Sequence, residues 1–145
     1  MNTINDFHGD YRFLSNFWPA KVQMYDLWFD SVENAYQAAK ESKIDNMLQY
    51  RRITPGAAKR LGKKATLRPD WNTKRLLIME ELVRRKFAIP HLREKLITTG
   101  DAELIEGNHW HDTFWGVCNG KGENNLGKIL MKIRSEIQGE HHVRI

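Results

Sequence analysis

The sequence predicts an α+β fold: a single compact, mostly helical domain with a small mixed β-sheet, covering 1–145 with its core at about 7–138. Three observations carry this reading. Apolar residues recur at three- and four-residue spacing through the second half, the mark of helices with one buried face. Strand-like material is confined to residues 7–30 and a short stretch near 102–106. A length of 145 residues sits within the ~100–200 residues of one domain, and no repeat, low-complexity segment or linker divides it.

The elements follow in order. Lys21 to Tyr25 and Leu27 to Phe29 read as a hairpin around Asp26. Phe13-Leu-Ser-Asn-Phe-Trp-Pro19 is aromatic and broken by proline, a loop with anchoring rings. Ser31 is an N-cap for a helix running to about Lys43, narrow at Ala35, Ala38 and Ala39. A short helix over Asp45 to Arg51 follows. Thr54-Pro55 then reads as N-cap and first residue of a helix that Gly62 ends. Asn72 or Thr73 opens a longer helix to about Ala88, with Leu76, Met79, Leu82, Val83 and Phe87 as its core stripe. Pro90 opens another, ending near Thr98. Ala102 to Glu106 reads as a strand and Gly107 to Asn124 as a long loop, a length that is often functional. The last helix, about Asn125 to Gln138, carries Leu126, Ile129, Leu130, Ile133 and Ile137, and a polar tail covers 139–145.

Composition excludes several classes. Hydrophobic residues make up 41% and charged residues 28%, which argues against disorder. A lone cysteine, Cys118, rules out an internal disulfide framework and fits a reducing, cytoplasmic setting. Met1 to Asp10 is polar and acidic, unlike a signal peptide, and no apolar run approaches the ~20 residues of a membrane helix. Net charge is +5. Arg51, Arg52, Lys59, Arg60, Lys63, Lys64 and Arg68 lie in one acid-free run, which would favour phosphates, DNA or RNA or form a solvated face. Nothing in the sequence fixes the oligomeric state.

Chemistry concentrates in Glu33-Asn-Ala-Tyr-Gln-Ala-Ala-Lys40. Seven helical residues turn about 700°, close to two full turns, over ~10.5 Å. Glu33 and Lys40 therefore share a face, with Gln37 between them, and Lys40 leans back toward Glu33. Spacing alone leaves another reading open, with Glu33 complementing the helix dipole and Lys40 a solvated ammonium. Asp112-Thr-Phe-Trp-Gly116 sets an acid beside aromatics, either to bind a ribose hydroxyl or as an Asp turn over a core Trp115. Asn108 to Asp112 lacks the spacing of a zinc site, so no metal is expected. Gly120 to Gly127 is glycine-rich without being a P-loop. Its backbone N–H groups would hold a phosphate, or the run is a turn capped by Asn124 or Asn125. Cys118 reads as a buried small residue rather than a nucleophile.

These segments occur in an order that closely resembles the NADAR family, named for NAD and ADP-ribose, which includes the YbiA-like N-glycosidases. The residues that carry the resemblance are Phe13-Leu-Ser-Asn-Phe17, Phe29-Asp-Ser-Val-Glu-Asn-Ala-Tyr-Gln-Ala-Ala-Lys40, Lys86-Phe87, Leu104-Ile-Glu106, Asp112-Thr-Phe-Trp-Gly116 and Gly122-Glu-Asn-Asn-Leu-Gly127, with Leu130-Met131 and Arg134. The family pattern commonly has Glu-His where this chain has Glu33-Asn34, and Asp26 stands where glycine is frequent.

The resemblance implies a hydrolase of N-glycosidic bonds that needs no cofactor. Its expected substrate is ADP-ribose on the amino group of guanine in nucleic acid. The alternative is a phosphorylated ribosylamino pyrimidine of riboflavin synthesis. Glu33 is expected as general acid/base, Lys40 as an amine forming a Schiff base with the opened sugar, and Asp112 as the ribose anchor. Phe13 and Trp115 are expected to stack on the base. Asn16, Asn124 and the N–H groups around Gly127 are expected to receive phosphates, with Lys86 as a further partner. Ser15, Gln37 and Gly116 complete the expected substrate contacts. A non-catalytic module binding ADP-ribose or nucleic acid is the competing class.

Overall fold

The computed structural model describes residues 2–143. In chain order its elements are β1 (Thr3–Ile4), a 3-10 helix over Gly9–Leu14, β2 (Val22–Met24), β3 (Leu27–Phe29), α1 (Val32–Ala38), α2 (Ile44–Met47), a 3-10 turn over Leu48–Tyr50, α3 (Pro55–Gly62), α4 (Trp71–Lys86), α5 (Pro90–Thr98), β4 (Glu103–Leu104), β5 (Gly107–Asn108), β6 (Val117–Cys118) and α6 (Asn125–Val143). The fold is α+β with helix predominating. Two units can be distinguished. One runs Asn16–Lys86, and the other takes the chain up to Ser15 together with everything from Phe87 onward.

The Asn16–Lys86 unit starts with the expected hairpin. β2 and β3 pair antiparallel with Met24 opposite Leu27, so the turn is Tyr25-Asp26, both at positive φ (55° and 61°). That is the two-residue turn whose twist suits a hairpin, and aspartate tolerates it better than most residues. Ser31 caps α1, its side chain accepting from the Asn34 N–H. Thr54 caps α3 in the same way through Ala57, with Pro55 in the first turn. α1 packs on α3 and α4. The small residues Ala35, Ala38 and Ala58, all buried, permit the close approach to α3. The Tyr36 ring meets Trp71 at 5.1 Å, joining α1 to α4.

Two expectations change here. α1 ends at Ala38 rather than near Lys43. The N–H groups of Lys40 and Glu41 tighten onto Gln37 and Ala38, and the Lys40 carbonyl accepts from Arg68 N–H at 2.8 Å, which turns the chain away. Leu76 is not core: it is 44% exposed. The buried face of α4 is Trp71, Ile78, Met79, Leu82, Val83 and Lys86. At about 100° per residue, Leu76 lies off that face, whereas Lys86 falls in its middle.

In the other unit, β1 pairs parallel with β4, and β5 pairs parallel with β6. Among the described residues the strands thus form three two-stranded ladders, two parallel and one antiparallel. The stretch expected as one continuous loop, Gly107 to Asn124, is divided by β5 and β6. Phe13 and Leu14, expected in a loop, belong to the 3-10 helix. α6 buries Leu126, Ile129, Leu130, Ile133 and Ile137, each worth roughly 1.5–3 kcal/mol of transfer free energy. It continues to Val143, beyond the expected end at Gln138. The last two residues of the expected tail lie outside the described residues. No helix among the described residues is long and apolar enough to cross a membrane.

Candidate active site

The Asn16–Lys86 unit gathers five of the expected site residues: Asn16, Glu33, Gln37, Lys40 and Lys86. Glu33 opens α1 and is only 8% exposed. Its backbone N–H, one of the donors a helix leaves unpaired in its first turn, is taken by the Asn16 carbonyl at 3.0 Å. Its carboxylate Oε2 accepts from Gln37 Nε2 at 2.6 Å, one turn along. The other atom of that amide, Oε1, is buried without a hydrogen-bond partner among the described residues. Asn34, next to Glu33, is fully buried and donates to two backbone carbonyls, Tyr50 and Ile53, each at 2.7 Å.

Lys40 lies just past the end of α1, half-buried, and the right-handed Ala39 (φ −64°, ψ −16°) keeps it within one turn of Gln37. Burial pushes its pKa below the ordinary lysine value, the negative charge of Glu33 acts in the opposite sense, and Lys59 and Lys63 push it lower again. The expected pairing of Glu33 with Lys40 is thus an electrostatic coupling within one short segment. Lys59 and Lys63, members of the basic run from Arg51 to Arg68, thus act electrostatically on Lys40. They stand four apart, one at α3 and one just past it, so both fall on one side of that helix.

Lys86 is 1% exposed, and burial lowers its pKa to about 7. Asn16 is 9% exposed, and its Nδ2 faces Met79 Sδ at 3.5 Å. Its backbone carbonyl holds the start of α1.

The other unit holds the remaining candidates, and several serve the loop itself. Asp112 Oδ1 accepts from the N–H groups of Phe114 (3.2 Å) and Trp115 (2.9 Å), which makes it the Asp turn that the spacing left open. Trp115 is half-buried, its ring edge-on to Phe114 at 4.8 Å. Phe13 departs from the stacking role. Its ring is 5% exposed, meets Phe87 edge-on at 6.5 Å and carries Lys95 Nζ at 5.5 Å from its centre.

Asn124 departs from the phosphate role too. Its Oδ1 accepts from Glu106 N–H and its Nδ2 donates to the Leu104 carbonyl, both at 3.0 Å, so both ends of the amide are used. A side chain at Gly127 would collide with that same Leu104 carbonyl and the Asn124 amide. The α6 amides of Asn125 and Leu126 already donate to the carbonyls of Phe114 and Trp115 (3.2 and 3.0 Å), which uses up donors that a phosphate would need. Gly116 accepts from Asn124 N–H at 3.3 Å and Ser15 donates its N–H to Arg12 at 3.0 Å. Cys118 is buried, 3.9 Å from His111 Nδ1. Among the described residues no group of three or more His, Cys, Asp or Glu side chains forms a metal-binding set.

A buried carboxylate electrostatically coupled to a partly desolvated amine, with two further lysines acting on that amine, is chemically capable of acid–base work. The chain belongs to the NADAR domain family, whose description matches residues 5–138, across both units. It is 39% identical over 138 residues to an N-glycosidase of Nostoc punctiforme, covering 88% of this chain and 86% of that protein. It is 38% identical to a riboflavin biosynthesis protein of Vibrio vulnificus over 92% of this chain, which matches 36% of that longer protein. In structure it is similar to the Escherichia coli protein YbiA, with a TM-score of 0.82 at 32% identity, over 97% of this chain and 89% of YbiA.

Proposed function

We propose that this NADAR-family protein, a hydrolase of N-glycosyl bonds, cleaves a ribose C1–N bond and removes ADP-ribose from the amino group of guanine in modified nucleic acid. The observation that carries the reading is the Glu33 carboxylate, buried at the start of α1, hydrogen-bonded by Gln37 and electrostatically coupled to Lys40. Breaking C1–N builds positive charge on the sugar and negative charge on the departing nitrogen. Glu33, once protonated, gives its proton to that nitrogen, and the carboxylate this leaves steadies the positive sugar.

Lys40 divides the reaction into two easier halves. The ring opens at C1–O4 as O4 takes a proton relayed by Glu33, leaving a C1=N iminium to the departing group. Lys40 Nζ adds to C1, a proton passes to the departing nitrogen, and the C1–N bond to guanine breaks as the C1=N bond to Lys40 forms. Water then adds to C1 and expels Lys40, and the free sugar closes its ring. Burial favours this route because only the unprotonated amine attacks. Lys59 and Lys63 give the site a positive field for the diphosphate.

The second reading, hydrolysis of a phosphorylated ribosylamino pyrimidine, is favoured by the similarity to the Vibrio vulnificus riboflavin biosynthesis protein. Both substrates offer a ribose C1–N bond and a phosphate. The basic residues from Arg51 to Arg68 favour the larger polyanion, although Arg68 is already engaged by Asp70 (2.6 and 3.1 Å) and by the Tyr25 hydroxyl.

One incubation separates the readings. The protein is offered an ADP-ribosylated guanine oligonucleotide and the ribosylamino pyrimidine phosphate side by side, and the products are read by mass spectrometry. Loss of ADP-ribose from the oligonucleotide is the expected result. Loss of ribose phosphate from the pyrimidine alone moves the assignment to the second reading. Binding without released sugar from either leaves the protein a binding module.

A further inference from the structure

Gly62 ends α3, and the sequence explains it as a helix stop. Its surroundings give a different reason for the missing side chain. A Cβ built on Gly62 would overlap Gln37 Oε1 and lie 2.8 Å from Gln37 Cδ and 3.2 Å from Gln37 Cβ. The Gln37 amide therefore occupies the room beside Gly62 that an alanine side chain would fill. Both residues are buried.

The orientation of that amide is also determined. Nε2 is 2.6 Å from Glu33 Oε2, and Oε1 has no hydrogen-bond partner among the described residues. Turning the amide over would set its oxygen against the carboxylate and bury an unpaired N–H instead. The present orientation is the one that satisfies the charged group. The side chain thus leaves its carbonyl unsatisfied over Gly62 in order to donate to Glu33.

We infer that Gly62 and Gln37 are positioning residues for Glu33: the gap at the end of α3 receives the Gln37 amide, and from there the amide holds the Glu33 carboxylate. The inference deepens the proposed function, since it rests on Glu33 as the acid–base group. Neither residue needs to touch substrate for this role. Helix α3 is thereby coupled to the reacting carboxylate through one side chain of α1.

A two-residue cycle tests it. Gly62→Ala, Gln37→Ala and the double variant are assayed for kcat and KM on the oligonucleotide or the pyrimidine substrate, and each is melted. Gly62→Ala is expected to lower kcat about tenfold or more with KM little changed, and Gln37→Ala to do the same. The double variant should be no slower than Gln37→Ala, because removing the amide makes room for the new methyl group. Parent kcat in Gly62→Ala, or losses that multiply in the double variant, overturns the inference. If Gly62→Ala fails to fold, a folded double variant supports the collision and an unfolded one refutes it.

A readout independent of substrate accompanies the cycle. The Gln37 side-chain NH2 signal in a 15N–1H spectrum, identified by its loss in Gln37→Ala, should exchange slowly with solvent in the parent and rapidly in Gly62→Ala. Unchanged slow exchange counts against the inference even if neither substrate is turned over. Absence of turnover, or full activity in Glu33→Gln, sinks the proposed function instead, so the two failures are distinguishable.

Discussion

Asn34 Nδ2 donates to the Tyr50 carbonyl at 2.7 Å, and it makes a second bond of the same length to Ile53. The same amide's oxygen accepts from the Ser31 hydroxyl. A single buried side chain thereby ties the first turn of α1 to the segment between the Leu48–Tyr50 turn and α3. This is the position where the family pattern commonly carries histidine, so in this chain the neighbour of Glu33 spends its hydrogen bonds on backbone. Asn34→Ala strands two carbonyls and is expected to cost on the order of 1–3 kcal/mol. Urea denaturation measures it, and a midpoint equal to the parent's would show that these bonds add nothing. The Ser31 cap to the Asn34 backbone N–H survives the change, so helix α1 itself should persist in circular dichroism.

Glu33→Gln keeps the shape of the side chain and removes its charge and its proton-transfer capacity. Turnover is expected to fall by on the order of 10² or more, with melting close to the parent. Gln37 Nε2 would still meet an oxygen, so folding gives no reason for the loss. A variant as fast as the parent removes Glu33 from the chemistry.

Helix starts were legible because their causes are local: Ser31, Thr54 and Pro90 act within a turn of themselves. The end of α1 was not, because no stop residue marks Ala38. What bends the chain there is the Arg68 N–H reaching the Lys40 carbonyl from far along the sequence. Likewise β1 takes its pairing from Glu103 and Leu104, and nothing within Thr3–Ile4 announces it. Spacing put Glu33 and Lys40 on one face, although Lys40 falls past the end of α1, where the turn closed by its N–H on the Gln37 carbonyl keeps it near that face. Asp112 and Asn124 have the side chains of a binding site, yet the hydrogen bonds of Asp112 go to its own loop and those of Asn124 to the backbone of Leu104 and Glu106. Residue type shows what a group is able to bond, and only the fold shows what it does bond. Gly62 ends α3 as its sequence suggests, but its closeness to Gln37 is set by another helix and was not legible.

Sodium borohydride added during turnover should reduce the C1=N bond to Lys40 and leave a stable sugar–protein adduct on a peptide containing Lys40. Burial lowers the Lys40 pKa and Glu33 opposes that lowering. Adduct yield should therefore rise with pH and level off below the ordinary lysine range of about 10.4. Removing the carboxylate charge in Glu33→Gln takes away the upward influence, so trapping in that variant should level off at lower pH still. No adduct in the parent, together with an active Lys40→Ala, removes the Schiff base from the mechanism.

Lys86 sets a pH dependence of stability whose sign can be worked out. Buried in the apolar face of α4, it has a pKa of about 7, against about 10.4 for an unfolded lysine. Below pH 7 both states hold the proton, and the folded protein bears the full cost of burying the charge. Between about 7 and 10 the unfolded chain keeps the proton while the folded one has lost it, so stability rises with pH. Above about 10 the trend reverses through Tyr50, whose pKa is raised by burial and by its hydrogen bond to Glu41, because the unfolded tyrosine then ionises first. Denaturation midpoints taken from pH 6 to 11 should climb and then fall. Lys86→Met should flatten the climb and leave the fall in place. A variant that keeps the parent's slope between pH 7 and 10 would show that Lys86 stays charged in the fold, and with that the burial argument for its neutrality fails.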